Sequence, residues 1–203
     1  GVDLSLFNQV NITFDYFHDV RNRILMARAS WPVMLGYWGS KPWSNIGEGV
    51  NQGFEWSVNW TKQFGKDLMV DFRGNFTYNQ NEHKYVDEPN YPYVWQTDTG
   101  KPLNTYKGYI AEGLFSSEEE IANSPDQSQL GANIMPGDIK YKDQNGDGII
   151  DAEDEIAIGR SNYPELVYGL NLNAEWKGFD VTFFFQGAAL ADFYYNGYLA
   201  FPY

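Results

Sequence analysis

Apolar and polar residues alternate along much of this chain. Val10, Ile12, Phe14 and Tyr16 are apolar, and Asn11, Thr13 and Asp15 between them are polar. Phe54, Trp56, Val58 and Trp60 stand against Glu55, Ser57, Asn59 and Thr61. Leu68, Val70, Phe72, Phe76 and Tyr78 oppose Asp71, Arg73, Asn75, Thr77 and Asn79; Leu166, Tyr168, Leu170, Leu172 and Trp176 oppose Asn171, Asn173 and Glu175. A last run has Phe179, Val181, Phe183 and Phe185 on one face. Period two puts alternate side chains on opposite faces of a strand. The predicted strands cover about 1–7, 10–24, 49–62, 67–80, 161–176 and 179–193. Most exceed the five or six residues usual in soluble sheets, and about 9–11 residues is the length that crosses a bilayer when tilted.

The connections fall into two kinds. Phe7-Asn8-Gln9, Gln63-Phe64-Gly65-Lys66 and Lys177-Gly178 are tight, whereas about 25–48 and 81–160 are long. Short turns at one rim and long loops at the other is the layout of outer-membrane β-barrels, with the short turns in the periplasm. Strand parity then puts both ends of the 81–160 excursion at the outer rim. The expected fold is all-β, an antiparallel transmembrane β-barrel segment with long extracellular loops. A soluble antiparallel sheet with one buried face would give the same alternation. The competing reading is therefore a soluble, extracellular, calcium-stabilised β-domain that binds glycan.

Composition narrows the function classes. The 203 residues include 15 Tyr, 14 Phe and 7 Trp, which suits an aromatic girdle. A net charge of −13 disfavours nucleic acid as a partner, and the absence of cysteine excludes thiol catalysis. No nucleophile elbow or phosphate loop is present, and His18 and His83 lie in no triad or metal-ligand spacing, so no enzyme activity is expected.

One local motif carries metal chemistry. From residue 143 the chain reads Asp-Gln-Asn-Gly-Asp-Gly-Ile-Ile-Asp-Ala-Glu-Asp. Asp143, Asn145, Asp147, Asp151 and Asp154 fall at positions 1, 3, 5, 9 and 12 of a calcium loop, and Ile149 would add its carbonyl at position 7. Gly148 stands where such a loop turns sharply. Ca²⁺ takes six or more oxygen ligands, so these six residues are the expected site of a structural ion, inside a calcium-loop-like excursion at 136–160. The flanks 139–141 and 155–158 read as short strands. Trp38, Trp43, Tyr93, Trp95 and Tyr109 in the long loops are the candidate substrate or partner contacts, because aromatic faces stack on sugars and anchor interfaces.

Several longer strings carry a family resemblance. They are Asn45-Ile-Gly-Glu-Gly-Val-Asn-Gln-Gly-Phe-Glu55, Gly108-Tyr-Ile-Ala-Glu-Gly-Leu-Phe115, Pro136-Gly-Asp-Ile-Lys-Tyr-Lys-Asp-Gln-Asn-Gly-Asp-Gly148, Tyr168-Gly-Leu-Asn-Leu172 and Lys177-Gly-Phe-Asp180. In this order they resemble the C-terminal barrel region of SusC/RagA-type TonB-dependent outer-membrane receptors of Bacteroidetes. The resemblance implies a barrel of about 22 strands with an N-terminal plug, placed in the outer membrane in contact with its lipid. It also implies a SusD-like surface lipoprotein as lid, import of an oligosaccharide or peptide, and energy from TonB-ExbB-ExbD through an N-terminal part lying upstream. About six strands are fewer than the smallest barrel needs, so the chain reads as a segment of a longer protein.

Overall fold

The computed structural model describes residues 1–32, 34, 41–131 and 133–195. It is an antiparallel meander of long strands. β1 (Val2–Leu6), β2 (Val10–Ala27), β3 (Trp43–Phe64) and β4 (Leu68–Tyr85) are followed by an excursion, then by β9 (Leu166–Trp176) and β10 (Phe179–Ala189). The sheet order is β1-β2-β3-β4-β9-β10, with every neighbouring pair antiparallel. The excursion carries β5 (Thr105–Gly108), β6 (Ala111–Leu114), helix α1 (Glu118–Ala122), β7 (Ile139–Tyr141) and β8 (Ile156–Ser161). There β5 pairs with β8 and β6 with β7, forming two small ladders.

The register turns the one-dimensional alternation into a two-dimensional pattern. One cross-strand row runs Val2, Phe14, Trp56, Phe76, Tyr168 and Gly187; the next runs Leu4, Ile12, Val58, Gly74, Leu170 and Phe185. A third runs Leu6, Val10, Trp60, Phe72, Leu172 and Phe183. All lie on one face and make an apolar belt six strands wide. Between them, on the other face, lie polar rows such as Asp3, Thr13, Ser57, Asn75, Gly169 and Gln186. From Phe54 to Phe64 the belt follows about 33 Å of strand, or about 25 Å along a membrane normal at ordinary barrel tilt. Ring neighbours across strands bind the belt laterally: Phe54 and Phe76 stack at 5.9 Å, and Trp56 and Phe76 at 5.8 Å. Tyr168 lies over Gly187, where any Cβ would run into its ring.

No second layer covers the belt among the described residues. Phe183 is 54% exposed and Leu172 41%, and the only buried apolar side chains among those residues are Val50, Phe115 and Ile150. A soluble sheet of this size buries its apolar face against another layer. The belt instead presents a contiguous apolar surface far larger than a soluble monomer leaves in water.

Tight turns close one rim. Phe7 and Asn8 have φ of 55° and 53°, and Lys177 and Gly178 have 48° and 85°. Left-handed residues of this kind give a turn the twist that the flanking strands need. At the opposite rim the strands run beyond the predicted ends. The expected strand 10–24 continues to Ala27, 49–62 widens to Trp43–Phe64, and 67–80 continues to Tyr85. Period two fades there because the two faces no longer differ: Ile24-Leu25-Met26-Ala27 is apolar on both, and 43–48 and 81–85 are largely polar on both. A bulge between Arg21 and Ile24, with Arg23 at φ 60°, also shifts the phase. Two expected strands are shorter than predicted. Residues 161–165 do not join β9: Ser161 ends β8, its hydroxyl accepts the Tyr163 amide at 3.2 Å, and Pro164 has no N–H for a ladder. Residues 190–193 leave β10 where Leu190 turns to φ 58°.

Candidate functional site

The excursion from β4 to β9 rises from the extended rim and is tied down at both ends. At its start the His83 amide donates to the Lys101 carbonyl at 2.9 Å, and the Gly100 amide donates to the His83 carbonyl at 2.7 Å. At its end the Asn79 amide donates to the Glu165 carbonyl at 2.7 Å. Between these, Asp87 fastens the excursion to the β2–β3 loop. Its carboxylate accepts Arg28 Nε at 2.9 Å, Ser30 Oγ at 2.6 Å and the Ser30 amide at 3.3 Å, with the side chain only 5% exposed. The Ser30 hydroxyl, helped by the Arg28 guanidinium, holds this carboxyl below its ordinary range against the opposing effect of burial. Sequence reading missed Asp87, because its partners are 57 and 59 residues away and no local pattern marks them.

The acidic loop forms a closed turn. Asp143 accepts the Gly146 amide at 2.6 Å and the Gly148 amide at 2.8 Å. Asn145 Oδ1 accepts the Asp147 amide, and Asp147 Oδ1 accepts the Ile149 amide. Asp151 caps a short 3₁₀ turn at residues 152–154 by accepting the Glu153 amide. Asp154, 1% exposed, accepts the amides of Gln144, Asn145 and Asp151. Asp126 braces the loop from outside: its amide donates to the Gly148 carbonyl at 2.9 Å, and its carbonyl accepts the Ile150 amide at 2.7 Å. That bridge seats Ile150, which has no exposed surface. The loop residues share one turn, but among the described residues no three acidic or His side chains gather as a cation cage. The predicted flanking strands are β7 and the first half of β8.

The aromatic candidates separate. Tyr93 and Trp95 stack at 4.5 Å with 8° between their planes. Trp95 Nε1 donates to the Glu153 carbonyl at 2.9 Å, so this pair packs onto the far half of the acidic loop. Lys101 Nζ donates to the Trp95 carbonyl, and burial lowers its affinity for its proton. Tyr109 packs on Tyr141 at 5.5 Å, and burial followed by the neighbouring Glu155 pushes its phenol up to about 12. Tyr93, Trp95 and Tyr109 are therefore braces within the excursion. Trp43 stands apart at the start of β3, 65% exposed. Trp38 lies outside the described residues.

Charge divides the molecule unevenly. Between residues 86 and 165 lie 16 of the 27 acidic residues but only five of the 14 basic ones, so this segment holds −11 of the net −13. The polar face of the sheet, by contrast, is mostly amide and hydroxyl. Thr61 Oγ1 donates to Asp71 at 2.7 Å, Arg73 Nε pairs with Asp71 at 2.9 Å, and Thr182 Oγ1 donates to Asn173 at 2.8 Å. A groove of about 750 Å³ crosses this face, floored by Gly169 and walled by Asn59, Arg73, Asn171 and Gln186. Phe184 stands in the same groove, 61% exposed. Its signal in the sequence was the Phe183-Phe184-Phe185 run, where apolar residues occupy both faces at once.

Comparison with known proteins follows the same architecture. A TonB-dependent receptor of Formosa agariphila is 26% identical over 200 residues, covering 92% of this chain and 19% of that protein. The SusC receptor of Bacteroides thetaiotaomicron is 28% identical over 165 residues, covering 77% of this chain and 15% of that protein. Both relatives match in sequence over most of the chain. The chain is similar to SusC/RagA-type TonB-dependent receptors in sequence and in fold. The RagAB peptide importer superposes in its open-open state with a TM-score of 0.64 at 18% identity, and in its closed-closed state with 0.62 at 19%. In each state 91% of this chain is covered, against 19% and 20% of the importer chain. The chain spans about a fifth of the length of the relatives it matches. No family model matches it.

Proposed function

We propose that this chain is part of the wall of an outer-membrane nutrient importer of the SusC/RagA type. Its belt meets lipid, its amide-rich face lines the lumen, and its excursion stands at the cell surface. The observation that carries the reading is the uncovered apolar belt, six strands wide and about 25 Å tall, with polar rows behind it and tight turns along one rim. The soluble alternative would have to leave that belt in water.

Within the importer, transport is powered through TonB-ExbB-ExbD and the cargo is an oligosaccharide or a peptide. A SusD-like surface lipoprotein closes over the surface loops. The likeness to SusC receptors and to the RagAB importer supports this assignment, and the acidic, internally braced excursion offers a firm ledge for a lid. Calcium enters the reading as a stiffener of the 143–154 turn. That turn is already closed by its own amides, and the accepting carboxylates retain lone pairs for a cation.

The test uses the full-length receptor in cells, with cysteine placed at the exposed Gln129 in the excursion or at Lys66 in the β3–β4 turn. A membrane-impermeant maleimide should label the Gln129→Cys receptor on intact cells, and the Lys66→Cys receptor only after the outer membrane is permeabilised. The reverse pattern would invert the topology, and release of the receptor by alkaline carbonate would end the membrane reading.

A further inference from the structure

The groove across the polar face of the sheet holds one phenylalanine ring among amides. Phe184 stands on that face because the Phe183-Phe184-Phe185 run supplies phenylalanine to both faces of β10. Its ring is 61% exposed and meets no other ring among the described residues. The register fixes its neighbours. Phe184 pairs with Asn171, Asn171 with Arg73 and Arg73 with Asn59, so the four form one cross-strand row with about 5 Å between strands. Gln186 is two residues along β10 from Phe184, on the same face and about 7 Å away. Asn171 is midway between Leu166 and Trp176, so the row lies halfway down the wall.

The amides of Asn59, Asn171 and Gln186 make no side-chain hydrogen bond among the described residues, so each keeps its donors and its acceptor. Arg73 is the only charged residue lining the groove among the described residues, and its Nε pairs with Asp71 at 2.9 Å. Gly169 keeps the floor low: a Cβ there would meet Asn75 Oδ1 at 2.8 Å. The groove of about 750 Å³ therefore offers an uncovered aromatic face, a rim of unused amides and no unpaired charge. A sugar ring has the matching layout. It presents an apolar face of C–H groups, a rim of hydroxyls that donate and accept, and no charge. A peptide brings ionised termini and side chains, for which this groove holds no free counter-charge.

We propose that Phe184, Asn171 and Gln186, with Asn59 at the far end of the row, form a transit subsite for a neutral oligosaccharide on the lumen wall. One sugar ring lies on Phe184, and the Asn171 and Gln186 amides take its hydroxyls. The next unit runs along the row toward Asn59. The subsite rests on the importer reading given above and narrows its cargo from oligosaccharide or peptide to oligosaccharide.

The test places photoreactive benzoyl-phenylalanine at position 184, or at 183 on the belt face, in the full-length receptor in cells. The cells receive either a pool of oligosaccharides from starch, inulin and dextran or a tryptic digest of casein. Adducts formed on irradiation are identified by mass spectrometry. Position 184 should acquire hexose adducts from the pool and no peptide from the digest, and position 183 should acquire lipid in both. Uptake of the pool should fall about tenfold for F184A and persist for F184W. Heat-modifiable migration checks that each variant folds, and the crosslink decides the matter if F184A does not. Absence of a sugar adduct at 184 would overturn the subsite, as would uptake by folded F184A equal to the parent's. Peptide adducts there would overturn the choice of cargo. Crosslinks only to the receptor's own N-terminal part would make Phe184 a seat for that segment instead. Lipid at 184 with sugar at 183 would invert the two faces and defeat the underlying reading.

Discussion

The six-stranded sheet and the excursion solve the same problem by opposite means. The sheet has long ladders and almost no buried side chain, because its two faces are meant for two different surroundings. The excursion has strands of three to six residues and survives on a few enclosed groups: Ile150, Phe115, Asp154 and the Asp87 junction. A periodic sequence arises where solvent differs from one face to the other. An aperiodic one arises where a segment must enclose its own small core in water.

The comparison is most exposed at Ile150. With no accessible surface, Ile150→Ala should cost about 2–5 kcal/mol of the local stability of the excursion. Limited proteolysis should then cut within 86–165 while the sheet keeps its heat-resistant migration. Collapse of both regions together would mean that they are one cooperative unit. Val58→Lys probes the other side. In the middle of the belt it should cost about 2–4 kcal/mol of folding stability in lipid vesicles, and Asn59→Lys on the polar face far less. Equal losses at 58 and 59 would mean that the two faces do not meet different surroundings.

These two regions were also unequally legible. Phe54 to Thr61 and Leu166 to Trp176 could be placed on strands from periodicity alone, because a belt residue and its neighbour answer to different solvents. Residues 43–48 and 81–85 could not, since above the belt Ser44, Asn45, Glu82 and Lys84 meet water on either side. Helix α1 is a single capped turn, too short to print a period. The acidic loop was legible as a motif because calcium spacing is local. The docking of Trp95 on Glu153 was not, because the two are 58 residues apart. The crossings of β8 and β9 were blurred for a related reason: Ser161 and Leu166 share one apolar-polar rhythm across a proline turn.

Smaller perturbations sharpen the contrast at the junction of the two regions. Asp87→Asn removes the charge that faces Arg28 and should cost about 1.5–3 kcal/mol at that contact. Hydrogen exchange should quicken in residues 28–32 and 86–101 and stay unchanged in β9 and β10. The same contact responds to acid. Because the folded carboxyl is held below its ordinary 3.8, its contribution is fully present above that pH and is lost as pH falls through the lowered value. Exchange at 28–32 should therefore rise only in the acid range below about 4, and the Asp87→Asn receptor should lack that rise. The smallest effect belongs to calcium. Millimolar Ca²⁺ should slow proteolysis within 143–154 modestly, and Asp147→Ala should abolish that slowing without altering the sheet. No difference between calcium and chelator would leave the loop an acidic turn held by its amides alone.

Tyr168 and Gly187 have a consequence for how such a wall can evolve. The ring occupies the space where any side chain at 187 would begin, so the two positions form a single heritable unit. A lineage that enlarges residue 187 must also turn aside or shrink the ring of residue 168, because the end of that ring is what the new side chain meets. Substitutions at these sites should therefore tend to arrive in pairs.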